Sequence, residues 1–252
     1  MKIAVFGDSY AADHISDTTI TTDYLSWPLI LRNITGLDIT NYAVGGSSMY
    51  YSWNQFQQHQ HNYDRVIFMI TTWDRMYLEF PDLPQFIQPF SHVTSVDRLA
   101  AWIREPTTQH SQKVMLQAAW DYMVKMGNEQ QRRNLHKLML KDIQQTRPDA
   151  LLLSGFGTEQ SYFDYPNQAE IFNGSKLDTL YYFEPLLGSD YWSTWRQTYE
   201  CRRQCHLNRH NNRILAEHVT KWIKTHDINE LTNIEWEVDT EKPWEYYFKK
   251  IK

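Results

Sequence analysis

Lys2-Ile3-Ala4-Val5-Phe6-Gly7-Asp8-Ser9-Tyr10 is the stretch whose reading decides the fold. An apolar run with β-branched residues halts at a glycine, and a serine stands just past the break. That pattern predicts a buried first strand ending in a tight turn that presents Ser9 above the sheet edge. In open α/β sheets, ligands bind at the carboxyl ends of the strands, so the position suits a nucleophile. A serine at a strand end also caps turns, and a triplet recurs by chance. A base and an oxyanion site elsewhere in the chain must therefore decide between the two readings.

Outward from this strand, Leu37 to Tyr42 reads as a second strand. It runs into Ala43-Val44-Gly45-Gly46-Ser47-Ser48, a turn where backbone can approach a ligand closely. Between the two strands, Ser26-Trp27-Pro28 opens a short helix, with Ser26 as cap and Pro28 in the first turn. Leu29, Ile30 and Ile34 form its apolar face, and Gly36 ends it. Val66-Ile67-Phe68-Met69-Ile70 is apolar throughout, as expected of a strand buried on both faces. It leads to Thr71-Thr72-Trp73-Asp74-Arg75 and then to a surface excursion punctuated by Pro81, Pro84 and Pro89.

Helical patterns cover about 95–104 and 109–126, the latter broken at Gly127. Another, over 129–146, puts Leu135, Leu138, Met139 and Ile143 on one face. Pro148 stops it, and Ala150-Leu151-Leu152-Leu153 gives a fourth strand. Strand-then-helix alternation is the signature of a parallel sheet with right-handed crossovers. A second excursion, 156–200, is crowded with aromatic residues, among them Tyr162, Phe163, Trp192 and Trp195. Such rings are first of all core material, here for an inserted subdomain packed with the C-terminal tail, and secondly a sugar-stacking platform. Cys205-His206-Leu207-Asn208 then precedes an amphipathic helix, with Asn208 as N-cap and Ile214, Leu215, Val219, Trp222 and Ile223 as its buried stripe. The aromatic-rich tail after Asp227 is expected to strap back over the body.

Composition narrows the function classes. The 252 residues fit one α/β domain with loop insertions, at about 75–128 and 156–200. A hydrophobic fraction of 42% suffices for a core, and a mean hydropathy of −0.62 is that of a soluble protein. The longest apolar runs are far too short to span a bilayer, and no secretory signal is visible, so no membrane partner is expected. A net charge of −5 without a basic stripe argues against a nucleic-acid partner. The two cysteines, Cys201 and Cys205, are too few for a disulfide framework and are expected to be reduced.

Taken in order, these pieces resemble the SGNH (GDSL) hydrolase superfamily. The family's first block, a strand followed by Gly-Asp-Ser, matches Ile3 to Ser9. Its second, Asn-x-Gly/Ala-x-x-Gly, matches Asn41-Tyr42-Ala43-Val44-Gly45-Gly46. The last, a histidine followed by Asn and a helix, matches His206-Leu207-Asn208. The match spans about residues 1 to 225. By the resemblance the fold is a three-layer α/β/α flavodoxin-like sandwich with a short parallel sheet. Ser9 is the nucleophile, His206 the general base, and the backbone N–H groups of Ser9 and Gly46 are oxyanion donors.

Two departures matter. The third block is normally Gly-x-Asn-Asp, and its asparagine side chain is a further oxyanion donor. The aligned residues here are Thr71-Thr72-Trp73-Asp74, with tryptophan where the amide should be. Losing one such donor commonly costs about 10²–10³ in rate. A hydroxyl of Thr71 or Thr72 is a substitute, and Trp73, Asp74 and Thr72 are candidate substrate contacts at that turn. The last block is normally Asp-x-x-His, but Arg203 stands three before His206. Glu200, six before it, is the candidate acid; a backbone carbonyl in its place would leave a Ser-His dyad.

The resulting chemistry is acyl transfer. A serine hydroxyl is inert near neutral pH until a base takes its proton, and an imidazole is the side chain suited to that task. The scheme requires no metal and no cofactor. Expected substrates are small-molecule or carbohydrate O-acyl esters, O-acetyl foremost; an acyl-thioesterase or acyltransferase would use the same serine. The alternative class is an SGNH-like scaffold that has lost catalysis and serves as a binding module. Compact, signal-less, aromatic-rich versions are also similar to bacteriophage-encoded members, which implies a cytoplasmic or virion-associated location. Asp8 is expected to pin its turn through nearby N–H groups, with Asp74 in a similar role. His59 and His61 would be metal ligands only with a third group nearby and otherwise lie at the surface, and His210 and His218 are expected to face solvent.

Overall fold

The structure, a computed structural model, describes residues 1–13, 25–71, 73, 75, 103–104, 106, 108–154, 167–170, 207, 209–232 and 234–236. In chain order the elements are β1 (Lys2–Phe6), α1 (Trp27–Thr35), β2 (Asp38–Asn41), α2 (Met49–His59), a 3-10 turn (Gln60–Asn62) and β3 (Arg65–Ile70). There follow α3 (His110–Asp121), a π-helical turn (Tyr122–Met126), α4 (Glu129–Thr146), β4 (Leu151–Ser154), β5 (Gln168–Glu170), α5 (Arg209–Thr225) and α6 (Asn229–Thr232). The chain divides into two compact units, Met1–Ala12 with Leu37–Gln168, and Asp13–Gly36 with Ala169–Lys252.

The first unit is built on four strands in the order β2-β1-β3-β4. β1 runs parallel to both β2 and β3, and β3 parallel to β4. The result is an α/β fold with a central parallel sheet flanked by helices, as the alternation of patterns predicts. On one face Ala4, Phe6, Val66, Phe68, Ile70 and Leu152 join Met49 and Phe56 of α2 and Leu140 and Ile143 of α4 in a single core. Each large side chain fully buried there contributes about 1.5–3 kcal/mol relative to exposure. Phe6 stacks on Tyr42 and meets Phe56 edge-on, at centroid distances of 5.1 and 5.8 Å. The alternate residues Ile3, Val5, Ile67, Met69, Leu151 and Leu153 are equally buried, which explains why these strands read as unbroken apolar runs.

Several elements differ from expectation. α2 was not anticipated in a stretch rich in glutamine and tyrosine; Ser48 starts it by accepting from the N–H of Tyr51, and Met49, Ser52 and Phe56 form its buried side. On α4 the buried stripe is His136, Leu140 and Ile143, while Leu135 and Leu138 are exposed. Ile143 and Met139 of the expected face do meet the core, whereas Leu135 and Leu138 do not, because the buried stripe runs through a histidine that hydropathy scores as polar. β5 was not anticipated either. The pattern at 109–126 ends as α-helix at Asp121 and finishes in a π-helical turn.

In the second unit α1 packs against α5. Pro28 lies in the first turn and Gly36 closes the helix at φ 65°, as read from the sequence. The Ser26 hydroxyl does not cap the helix; it donates to Asp13 (2.9 Å). The cap comes from α5 instead: Asn212 Oδ1 accepts the N–H of Trp27 (2.9 Å), and its Nδ2 donates to the carbonyl of Leu207 (2.9 Å). Leu215, Val219, Trp222 and Ile223 are buried as expected; Ile214 is only half-buried. His210 is exposed, whereas His218 is bonded through Nδ1 to the Glu230 carbonyl rather than facing solvent. No helix among the described residues is long and apolar enough to cross a membrane.

Candidate active site

Ser9 sits one turn past β1, and that turn is fixed at every corner. Gly7 breaks the strand at φ 149°, a conformation L side chains rarely adopt. A Cβ added there would lie 2.5 Å from the Cβ of Met69, so β3 also forbids a side chain. The carbonyl of Asp8 accepts from the N–H groups of Ala11 (3.0 Å) and Ala12 (2.9 Å). The Asp8 carboxylate accepts from the N–H of Tyr10 (3.0 Å), the turn-pinning role expected of it. Ser9 itself is half-buried.

The turn after β2, which carries Gly46, is clipped to the same place. Three donors converge on the Gly7 carbonyl: the N–H of Val44 (3.1 Å) and the hydroxyls of Ser47 (3.0 Å) and Ser52 (3.1 Å). Asn41 adds a second tie, its Nδ2 donating to the carbonyl of Ala11 (2.7 Å) while its Oδ1 accepts from the N–H of Ala43 (3.0 Å). Gly46 adopts φ 77°, in the left-handed region that favours glycine. Partial burial and a hydrogen bond with Tyr63 push the Tyr42 phenol up to about 12, so it stays protonated beside this turn.

The end of β3 completes the cluster with Thr71 and Trp73, joined by two groups without an expected role, Arg75 and His136. Thr71 is buried and donates its hydroxyl to Asp8 Oδ2 (2.8 Å), so it is committed to Asp8 and does not fill the place of an oxyanion donor. Arg75 Nη1 forms an ion pair with the same oxygen at 2.6 Å, with Asp8 fully buried and Arg75 18% exposed. His136 of α4, buried, holds the Thr71 carbonyl through Nε2 (2.8 Å). Trp73 is half-buried, with the guanidinium carbon of Arg133 4.1 Å from its ring centroid and that of Arg132 at 5.5 Å. Such cation–π contacts contribute about 0.5–2 kcal/mol each and orient the ring toward α4.

Of the residues singled out from the sequence, Ser9, Gly46 and Trp73 belong to this first unit. His206, Glu200, Thr72 and Asp74 lie outside the described residues, as do Cys201 and Cys205. His206 directly precedes Leu207, which is buried and held by Asn212. His59 lies flat on Tyr42, with ring centroids 4.5 Å apart, and His61 is exposed. Among the described residues no group of three potential ligands gathers around a metal position. Arg75 and His136 escaped the sequence reading because neither belongs to a recognisable motif; the only signal for Arg75 was a cation at the end of a buried strand.

No protein-family model matches the sequence. No curated protein matches it either. Among solved structures the chain is similar to an acetyl xylan esterase, AlAXEase, with 11% identity, a TM-score of 0.42, and coverage of 89% of this chain and 100% of that one. It is also similar to the lipase/acylhydrolase from Enterococcus faecalis, with 11% identity, a TM-score of 0.34, and coverage of 89% and 96%. Likenesses this distant establish no activity for the chain.

Proposed function

We propose that the chain is a serine ester hydrolase of the SGNH type, one domain acting on O-acyl, foremost O-acetyl, esters of small molecules or carbohydrates. The observation that carries this reading is the Gly7 carbonyl, which ties the Ser9 turn to the Gly46 turn. A tetrahedral intermediate needs a nucleophile and preorganised donors beside it, and ties between the Ser9 and Gly46 turns would hold the two N–H groups of this reading in place.

In this reading Ser9 Oγ attacks the ester carbonyl as His206 takes its proton. The N–H groups of Ser9 and Gly46 hold the oxyanion. Collapse breaks the bond to the alcohol, which leaves with the proton from His206 and puts the acyl group on Ser9. Water, activated by the same imidazole, then releases the acid and restores the hydroxyl. Glu200 or a backbone carbonyl orients the imidazole. The carbohydrate part of the reading is supported by the aromatic content of 156–200 and by the resemblance in sequence motifs.

Trp73 favours a second reading. By the motif resemblance it takes the position of the side-chain amide that would be a further oxyanion donor, and Arg133 lies over its ring. A scaffold of this kind without the third donor would serve as a binding module. A fluorophosphonate probe, followed by intact mass, separates the two. The esterase reading expects rapid single labelling of the wild type and none in Ser9→Ala or His206→Ala. A folded wild type that stays unlabelled would sink it in favour of the binding module.

A further inference from the structure

We propose that Arg75 is a positioning residue whose guanidinium sets the separation between the backbone N–H groups of Ser9 and Gly46. Its link to catalysis rests on the esterase reading above; its geometry does not. Arg75 Nη1 reaches Asp8 Oδ2 at 2.6 Å, Thr71 Oγ1 at 3.1 Å and the carbonyl of Ser47 at 3.4 Å. Asp8 is the residue before Ser9, and Ser47 is the residue after Gly46. One cation, arriving from a third segment, thus grips the chain neighbour of each oxyanion donor. Thr71 closes the arrangement by donating to the same Asp8 oxygen, and His136 anchors the Thr71 carbonyl from α4.

Two clamps therefore hold the turns together, and they differ in kind. The Gly7 carbonyl binds three neutral donors and keeps the turns in contact. The Arg75–Asp8 ion pair is charged and largely shielded from water, and from it the guanidinium reaches the second turn through the 3.4 Å contact to the Ser47 carbonyl. With Arg75 removed, the Gly7 clamp persists and the turns stay adjacent, but the angle between them is no longer set. Substrate binding should then survive better than the chemical step, because oxyanion geometry matters most in the transition state. All three acceptors converge on a single nitrogen, so a lysine ammonium, with three hydrogens on one atom, is the natural conservative replacement.

The test compares wild type, Arg75→Lys, Arg75→Met and the double variant Asp8→Asn/Arg75→Met. Kinetics with p-nitrophenyl acetate give kcat and KM, and nitrogen–proton correlation spectra report the Ser9 and Gly46 amides. Arg75→Met is expected to move both amide signals and lower kcat about 10²-fold while KM changes little. Arg75→Lys should recover most of kcat and the wild-type amide positions. The double variant leaves no lone buried charge, so it should stay folded even if Arg75→Met does not, and it should keep the low kcat. Wild-type kcat and unmoved amides in Arg75→Met, or in the double variant if the single one unfolds, would overturn the proposal. If the wild type proves inert, the esterase reading fails by itself, and the amide signals still decide whether Arg75 positions the two turns.

Discussion

Gly7 meets two independent demands, a φ of 149° and a Met69 Cβ that leaves no room for a side chain. Gly7→Ala should therefore cost about 2–4 kcal/mol, read as a drop in the urea midpoint at unchanged slope, because strain and overpacking add at one site. An unchanged midpoint would mean that β1 and β3 are not in the contact described. The motif residues around it were legible because their chemistry is local: a glycine that breaks a strand, a serine beyond it, and paired glycines after the next strand. Arg75 was not, since its carboxylate partner lies 67 residues earlier and nothing in either neighbourhood names the other. Trp73 was legible as a departure from the expected block, but its Arg133 partner was visible only in three dimensions.

At the scale of elements, strands were easier to read than helix faces. β1, β3 and β4 are buried on both sides, so a run of apolar letters sufficed. α4 offers two overlapping stripes. The more hydrophobic one, through Leu135 and Leu138, is exposed, and the buried one carries His136, whose Nε2 meets the Thr71 carbonyl. A polar side chain holds its place in a core through hydrogen bonding, which no hydropathy pattern records. Leu140→Ala should accordingly destabilise by about 2–5 kcal/mol, whereas Leu138→Ala should stay within about 0.5 kcal/mol. Denaturant melts of the two variants decide which stripe faces the core, and equal losses would contradict the burial described.

At the scale of the whole molecule, the second unit draws on both ends of the sequence. Asn212→Ala removes the acceptor for the Trp27 N–H and the donor to the Leu207 carbonyl together. Leaving those buried groups unmet should cost about 1–3 kcal/mol and speed amide exchange at Trp27. Unaltered exchange there would show that α1 is capped in some other way. The same bond joins residues 185 positions apart. Ribosomes add about 5–20 residues per second, so α1 is made roughly 10–40 s before the α5 residue that caps it. For that interval the nascent chain carries an apolar helix without the element it packs against, a natural docking point for chaperones during translation.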